Sequence, residues 1–169
     1  IAKKESGETS LKINEKIRIF PTVNSREENE KKILSMNTGF ISEIAKPSWL
    51  DYFMGIALVV AERSADAQTK CGCVITDNHN HIIGTGYNSF PKGIGEGVFA
   101  NLRDKKYKYM KHSEVNAVLN CVVSPQMLDN VTAYISGKAC LDCLFTMWNA
   151  NIKNFYMMDK EISFSYEHE

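Results

Sequence analysis

The sequence predicts an α/β fold, because segments with strand character and segments with helix character alternate along its second half. Ser113–Val122 carries apolar residues at a helical period, and Leu141–Ala150 is expected to form a second helix. Val131–Ile135 and Phe155–Met158 are short runs of β-branched, aromatic and other apolar residues, which favour strands. This alternation indicates a sheet with some parallel pairing. A chain of 169 residues is long enough for one domain with a sizeable core.

The first half of the domain is expected to supply one helix and one hairpin. Trp49–Ala61 is apolar on nearly all sides, which is typical of a helix sandwiched in a core. Ser48 is the expected N-cap, with Asp51 reaching back as in a capping box. Cys71–Thr76 and His81–Tyr87 are the expected arms of a hairpin, because the Asp-Asn-His-Asn segment between them favours a turn.

The N-terminal part of the chain differs in composition from the rest. Residues 1–46 are dense in Lys and Glu, and we interpret them as an extension of a domain that occupies residues 47–169. Apolar alternation within Leu11–Val23 indicates a short strand or hairpin arm. The extension is expected to pack on the domain or on a neighbouring subunit; a partly ordered tail is the alternative.

Composition limits the expected partners and location. Lys plus Arg number 20 and Asp plus Glu also number 20, so the formal net charge is zero. No global positive field therefore indicates nucleic-acid binding, and a small anionic ligand would need local cationic side chains. No apolar run is long enough to span a membrane, and the first residues are too charged for a signal peptide. Five cysteines then indicate reduced thiols and a metal site rather than disulfides, and we expect a cytoplasmic protein.

His-Ser-Glu at 112–114 and Cys-Leu-Asp-Cys at 140–143 together predict a zinc site. His112, Cys140 and Cys143 are three ligands of the types that zinc prefers, and a catalytic site has three ligands and one open position for water. The spacing of the two cysteines places both thiolates on one side of a first helical turn. Glu114 is then the expected proton carrier for a hydrolytic reaction.

A structural zinc knuckle is the alternative for the same motif. A structural site closes with four protein ligands, and a lone C-x-x-C motif favours it. The fourth ligand would have to come from one of the remaining cysteines, which are Cys71, Cys73 and Cys121. A carboxylate such as Glu114 has no use in a site needed only for folding, so its presence favours the catalytic interpretation.

Several motifs together resemble the deoxycytidylate deaminases of the cytidine deaminase superfamily. The segment from Trp49 to Ser64 resembles the first helix of that family, and Gly86–Gly93 is similar to its G-Y-N-G-x-P-x-G loop. Lys108–Ala117 is similar to its H-A-E-x-N-A zinc motif. The resemblance extends from Trp49 to about Lys160. The zinc motifs alone indicate the superfamily, and the added G-Y-N loop indicates the narrower family.

The resemblance implies a three-layer α/β/α fold, with a mixed central sheet and helices on both faces. It implies zinc-dependent hydrolytic deamination of dCMP to dUMP and ammonia, which would supply dUMP for thymidylate synthesis. His112, Cys140 and Cys143 would bind one Zn²⁺ per chain and Glu114 would move protons, while Asn88 would bind the sugar hydroxyl. It also implies a homo-oligomer, commonly a hexamer, controlled by dCTP and dTTP together with Mg²⁺.

The remaining contacts with nucleotides are expected at less specific positions. The further candidate substrate contacts are Ser113, Arg63, Ser64 and Tyr166, and the candidate effector contacts are Gly86, Tyr87, Lys92 and Gly93. Arg63 matches the geometry of a phosphate. The cluster Lys105–Lys108 is either an anion-binding patch or an ordinary exposed loop.

Three departures from the family pattern are visible. Ala139 stands where the family usually has Pro, and Ser113 replaces the Ala of H-A-E. The sequence stops at Glu169, where relatives usually continue with another helix and strand. We therefore expect either a short version of the enzyme or a sequence whose remainder is missing.

Other functions share the same motifs. The site could take dCTP, or both dCMP and dCTP, if the pocket accommodates more phosphates. A deaminase acting on RNA or single-stranded DNA is disfavoured by the neutral charge and by the lack of an aromatic-basic stripe. A non-catalytic subunit that bears zinc is disfavoured by the intact Glu114.

Overall fold

The computed structural model describes residues 3–5, 8–13, 17–21, 46–94, 106 and 108–158, and the strands before residue 46 are described by their backbone. This part of the chain forms seven strands, three α-helices and one short 3₁₀ turn at Pro125–Met127. The strands are β1 (Lys3–Glu5), β2 (Glu8–Ile13), β3 (Ile17–Pro21), β4 (Gly72–Thr76), β5 (Ile82–Tyr87), β6 (Thr132–Ile135) and β7 (Asn154–Met157). The helices are α1 (Trp49–Ala61), α2 (Ser113–Leu119) and α3 (Leu141–Asn149).

The seven strands form one mixed sheet in the order β1-β2-β3-β7-β6-β4-β5. β7 lies parallel to β6 on one side and parallel to β3 on the other. The remaining neighbours are antiparallel, including the predicted hairpin of β4 and β5. The strand or hairpin arm predicted within Leu11–Val23 is part of the β2–β3 hairpin. β3 therefore extends the sheet of the same chain beyond β7.

Helices cover both faces of the sheet, which confirms the predicted three-layer fold. α1 packs on one face, where Phe53 and Met54 lie in a cluster with Val74 and Tyr134. α2 and α3 pack on the other face, where Ala117, Leu144 and Met147 join the alternate strand residues Cys73, Ile75, Ala133 and Ile135. Successive side chains of a strand point to opposite faces, so β4 and β6 each contribute to both cores. No helix in the described ranges is long and apolar enough to cross a membrane.

α1 has the predicted bounds, but it is buried on one face only. The Ser48 hydroxyl accepts a hydrogen bond from the Asp51 backbone N–H at 3.1 Å and donates one to the Asp51 carboxylate at 2.9 Å. The cap is therefore formed by these two residues, as predicted. The predicted burial on nearly all sides is wrong, because Trp49 and Val59 are largely exposed. Apolar residues on this helix mark two different faces, one of which meets the sheet.

α2 is shorter than predicted and buries a different face. It ends at Leu119 because the chain then turns toward β5, where the Val122 N–H donates a hydrogen bond to the Ile83 carbonyl at 2.9 Å. Leu119 is 74% exposed and Val122 is 82% exposed, so the apolar period did not mark the core side. The buried residues of α2 include Ser113 and Glu114, which are polar. The face turned inward is therefore the one that carries the predicted chemistry.

Candidate metal centre and active site

Two helix starts bring the three predicted ligands together. His112 is the N-cap of α2 and Cys140 is the N-cap of α3, both with extended backbone. The Cys140 thiol sulfur accepts a hydrogen bond from the Cys143 backbone N–H at 3.3 Å. The first turn of α3 thus holds one sulfur with a backbone donor, and the positive end of the helix dipole favours negative sulfur there.

The distances between the three ligand atoms fit a tetrahedral zinc ion. His112 Nδ1 lies 3.4 Å from Cys143 Sγ and 3.8 Å from Cys140 Sγ. Zinc bonds of about 2.0–2.1 Å to nitrogen and about 2.3 Å to sulfur place tetrahedral ligand atoms about 3.6 Å apart. Across the described ranges, His112, Cys140 and Cys143 are the one group of His, Cys, Asp and Glu side chains close enough to share a metal ion. Cys71, Cys73 and Cys121 are not in that group, which argues against the four-ligand alternative.

The protonation states of the candidate metal ligands are also consistent with a site for a cation. The hydrogen bond with Cys140, together with burial and the nearby Glu114 carboxylate, raises the pKa of Cys143 well above its ordinary value. Burial lowers the pKa of His112, but the hydrogen bond with Cys140 and the Glu114 charge outweigh it and leave that pKa raised. Without a cation, the Cys143 thiol therefore keeps its proton. A dication reverses this, because a coordinating thiol is deprotonated.

Glu114 is buried beside the cluster with one oxygen lacking a protein partner. The residue is 1% exposed, and its Oε2 accepts a hydrogen bond from the Ser113 hydroxyl at 2.7 Å. Oε1 has no hydrogen-bond partner. Burial raises the pKa of Glu114, although the His112 charge and the Ser113 hydrogen bond oppose the shift. Unpartnered buried oxygens are costly and rare, so Oε1 indicates a missing partner such as a water or a substrate N–H group.

Gly86 has a packing role between β5 and α2. A Cβ at this position would lie 2.2 Å from the Ala117 nitrogen and 2.4 Å from the Ser113 oxygen. Only glycine lets β5 approach α2 so closely. The residue lies beneath the helix that carries Glu114, and the predicted effector contact at Gly86 stays a prediction.

Asn88 and Ser64 hold the loops around the site together. The Asn88 Oδ1 accepts a hydrogen bond from the Cys71 N–H at 2.8 Å, and its Nδ2 donates to the Thr69 carbonyl at 2.8 Å and to Asp66 Oδ2 at 3.1 Å. The buried Ser64 hydroxyl donates to the Asn88 carbonyl at 2.7 Å. This geometry argues against phosphate binding by Ser64. Sugar binding by Asn88 would require one of these internal bonds to be exchanged.

A buried ion pair completes this network and was not predicted from the sequence. Lys106 Nζ lies 2.5 Å from Asp66 Oδ1, and the two side chains are 2% and 3% exposed. Burial raises the pKa of Asp66, but hydrogen bonds from Lys106 and from the backbone N–H groups of Thr69 and Gln68 outweigh it and lower that pKa. Lys106 is therefore not part of an exposed anion patch, so that interpretation of the Lys105–Lys108 cluster is wrong at this residue. A lysine in a charged segment gives no sequence signal of burial.

A cavity of about 400 Å³ is lined by four of the residues predicted to contact a phosphate or an effector. Arg63, Tyr87, Lys92 and Gly93 all line it. Asn116, for which the sequence indicates no role, also lines the cavity. Its Nδ2 donates hydrogen bonds to the Tyr87 carbonyl at 2.8 Å and to Ser89 Oγ at 3.1 Å. Two cationic side chains at one cavity suit an anionic group. Tyr166 lies outside the described residues, so its contact with a substrate stays a prediction.

Comparison with known proteins identifies relatives that share this region. Residues 47–159 match the family model described as the cytidine and deoxycytidylate deaminase zinc-binding region. The chain is 34% identical over 113 residues to a probable deoxycytidylate deaminase of Caenorhabditis elegans, covering 63% of this chain and 55% of that protein. It is 33% identical over 119 residues to the deoxycytidylate deaminase of Homo sapiens, covering 66% of each. The chain thus spans from about half to just under two thirds of these curated relatives.

A solved structure shows the same fold. The dCMP deaminase from the cyanophage S-TIM5, in complex with dCMP and dUMP, superposes with a TM-score of 0.57 at 23% identity, covering 67% of this chain and 82% of that chain. The likeness supports the three-layer architecture described above. Because the family match covers most of the chain and includes the His/Cys/Cys cluster, this chain belongs to the cytidine and deoxycytidylate deaminase family with its shared zinc-binding region.

Proposed function

We propose that the protein deaminates dCMP to dUMP and ammonia by hydrolysis. The observation that carries the proposal is the combination of three metal-ligand atoms with a buried carboxylate whose Oε1 has no protein partner. A three-ligand site leaves room for water, and a carboxylate beside it can move the protons of that water. Curated relatives named deoxycytidylate deaminase support the choice of substrate.

His112, Cys140 and Cys143 are the residues that would hold the zinc ion. Zinc, when bound, lowers the pKa of its water from 15.7 toward about 7 and so makes a nucleophile available at neutral pH. The chain itself contributes the arrangement of the ligands. His112 and Cys140 start two different helices, and the Cys143 N–H fixes the Cys140 sulfur, so the three atoms are positioned by the fold.

Glu114 is the proposed proton carrier. Overall, a C–O bond forms at C4 of the cytosine ring, the C4–N bond breaks, and water and dCMP become dUMP and ammonia. Glu114 accepts the two protons of the attacking water in turn at Oε1, and it delivers one to the ring nitrogen and the other to the leaving amine. Burial raises the pKa of Glu114, which makes its carboxylate a stronger proton acceptor than an exposed one.

The phosphate is the least constrained part of the substrate. Arg63 and Lys92 line the 400 Å³ cavity and are its cationic side chains, and Arg matches phosphate geometry with its fork of donors. The same cavity is the alternative site for a nucleoside triphosphate effector with Mg²⁺, which would contact Tyr87, Lys92 and Gly93. A dCTP or dual dCMP/dCTP deaminase remains the second candidate, because two cations can also meet a triphosphate.

We also propose that the protein is a cytoplasmic homo-oligomer, with residues 47–169 as the deaminase domain and residues 1–46 as its extension. Exposed apolar side chains support the assembly, among them Trp49, Val59 and Leu119. None of the five cysteines is joined to another by a disulfide, which suits a reducing compartment. Sedimentation of the zinc-loaded protein measures the oligomeric state, and a monomer at all concentrations would contradict the assembly.

The substrate assignment is tested by comparing dCMP, dCTP and deoxycytidine, which share the cytosine base and differ in the number of phosphates. Loss of cytosine absorbance should be fastest with dCMP, slower with dCTP and slowest with deoxycytidine. An oligonucleotide containing cytosine should not be deaminated. Arg63→Ala should raise the KM for dCMP and leave the rate on deoxycytidine unchanged if Arg63 binds the phosphate. If dCTP is the faster substrate, the dCMP assignment is wrong.

A further inference from the structure

Ser113 lies between a thiol and the proposed proton carrier. Its side chain is fully buried. Its Oγ is 2.7 Å from Glu114 Oε2 and 3.1 Å from Cys71 Sγ. Cys71 is not one of the cluster of candidate zinc ligands. The H-A-E motif that this segment resembles has no hydroxyl at the middle position, so the contact is a feature of this chain.

When Glu114 is ionised, as a proton acceptor must be, the chemistry of the three groups fixes the direction of both hydrogen bonds. A hydroxyl has one proton to donate, and an ionised carboxylate can only accept. Ser113 therefore donates to Glu114 Oε2, and its lone pairs are left to accept the S–H proton of Cys71. The thiol is well placed to donate, because Asn88 holds Cys71 through two backbone hydrogen bonds of 2.8 and 3.1 Å.

We propose that Ser113 is a positioning residue that holds Glu114 by Oε2 and so leaves Oε1 as the oxygen that exchanges protons during deamination. The proposal rests on the proposed function. Its structural basis is the asymmetry of the carboxylate, since Oε2 has a partner and Oε1 has none. The hydroxyl thereby takes a role different from the substrate contact predicted from the sequence. Cys71 orients the hydroxyl through its S–H group.

Ser113→Ala removes the hydroxyl and almost no volume. We expect kcat for dCMP to fall by about tenfold to a hundredfold, which is the scale expected when a catalytic group is misplaced by up to about 1 Å. The KM should change by less than about threefold and the zinc content should stay the same, because Ser113 is neither a ligand nor a proposed phosphate contact. An unchanged kcat would overturn the proposal.

Ser136→Ala is the matched control. Ser136 is also a buried serine, and its hydroxyl accepts a hydrogen bond from the Gly72 N–H at 2.9 Å. Ser113→Ala loses the hydrogen bonds to Glu114 and Cys71 and Ser136→Ala loses the one from Gly72, so both variants should be less stable. Only Ser113→Ala should lose kcat, and an equal loss in both variants would show that the hydroxyl matters for the fold alone.

Two readouts separate this proposal from the proposed function. Crystal structures of wild type and Ser113→Ala should differ in the orientation of the Glu114 carboxylate, whether or not dCMP is turned over. In the infrared S–H stretching region, the Cys71 band, assigned with Cys71→Ala, should shift in Ser113→Ala because the hydrogen bond to Ser113 is lost. An unmoved carboxylate or an unmoved band overturns the positioning role, whereas failure of wild type to deaminate dCMP overturns the proposed function.

Discussion

Asp66→Asn tests the buried ion pair that anchors the loops around the site. Asp66 Oδ1 accepts hydrogen bonds from Lys106 and from the backbone N–H groups of Gln68 and Thr69 at 2.8 and 3.0 Å, and Oδ2 accepts one from Asn88. An asparagine keeps one acceptor but turns an N–H₂ group toward one of the donors. It also leaves the Lys106 ammonium buried without a counter-charge.

The expected loss is large because the pair is almost fully buried. Removing one partner of such a pair costs about 3–5 kcal/mol, mainly because the remaining charge is uncompensated. For a chain of this size the loss corresponds to a fall in Tm of roughly 6–20 °C, at about 2–4 °C per kcal/mol. Asp66→Asn combined with Lys106→Met removes both charges and should recover much of the loss. Urea unfolding of the wild type and both variants measures the free energies.

The pH dependence of the difference gives a second, signed test. The pKa of Asp66 lies below its ordinary value in the folded protein, and the unfolded value is about 3.9. The ion pair therefore contributes its full stability above about pH 4 to 5 and loses it as the pH falls through the folded pKa. The gap between wild type and Asp66→Asn should shrink on acidification. A gap below about 1 kcal/mol at pH 7, or one that widens in acid, would refute the reasoning.

Three further predictions concern packing, metal binding and thiol reactivity. Gly86→Ala would place a methyl group 2.2 Å from the Ala117 nitrogen and should lower the free energy of unfolding in urea by about 3 kcal/mol or more. Gly93→Ala, in open space at φ +90°, should lower it by about 1–2 kcal/mol. Equal losses would contradict the packing role of Gly86. Cys143→Ser should reduce bound zinc, measured by elemental analysis, to well below one per chain, and full retention would contradict the ligand assignment. Burial raises the pKa of Cys121 to about 11, so at pH 8 this thiol should react with iodoacetamide much more slowly in the folded than in the unfolded protein; similar rates would contradict its burial.

Local features were predictable because their causes are local. The turn between β4 and β5 forms where Asp77 Oδ1 accepts the backbone N–H groups of His79 and His81, and Asn80 adopts a left-handed conformation with φ 65°. Short polar side chains favour such turns wherever they occur. The zinc ligands were predictable for a similar reason, since the C-x-x-C spacing within one turn of α3 already places two sulfurs together.

The roles of isolated polar residues were not predictable. Ser64, Asn88 and Lys106 are each typical of a ligand contact or an exposed loop when considered alone, yet all three bond to other parts of the chain. Their partners are 17 to 40 residues away, so nothing in the local sequence indicates them. The sheet order is non-local in the same way, because β7 lies between β3 and β6. The end of α2 depends on a hydrogen bond to β5, a strand that precedes it by many residues.

The most direct test of the proposed chemistry combines zinc content and dCMP turnover in wild type and Glu114→Gln. The amide keeps the size of the side chain but cannot accept and return a proton. Both proteins should contain about one zinc per chain, because Glu114 is not among the three ligands. Wild type should convert dCMP to dUMP, and the variant should be slower by about 10²-fold to 10⁴-fold. A zinc-loaded wild type without turnover, or a variant as fast as wild type, would contradict the account.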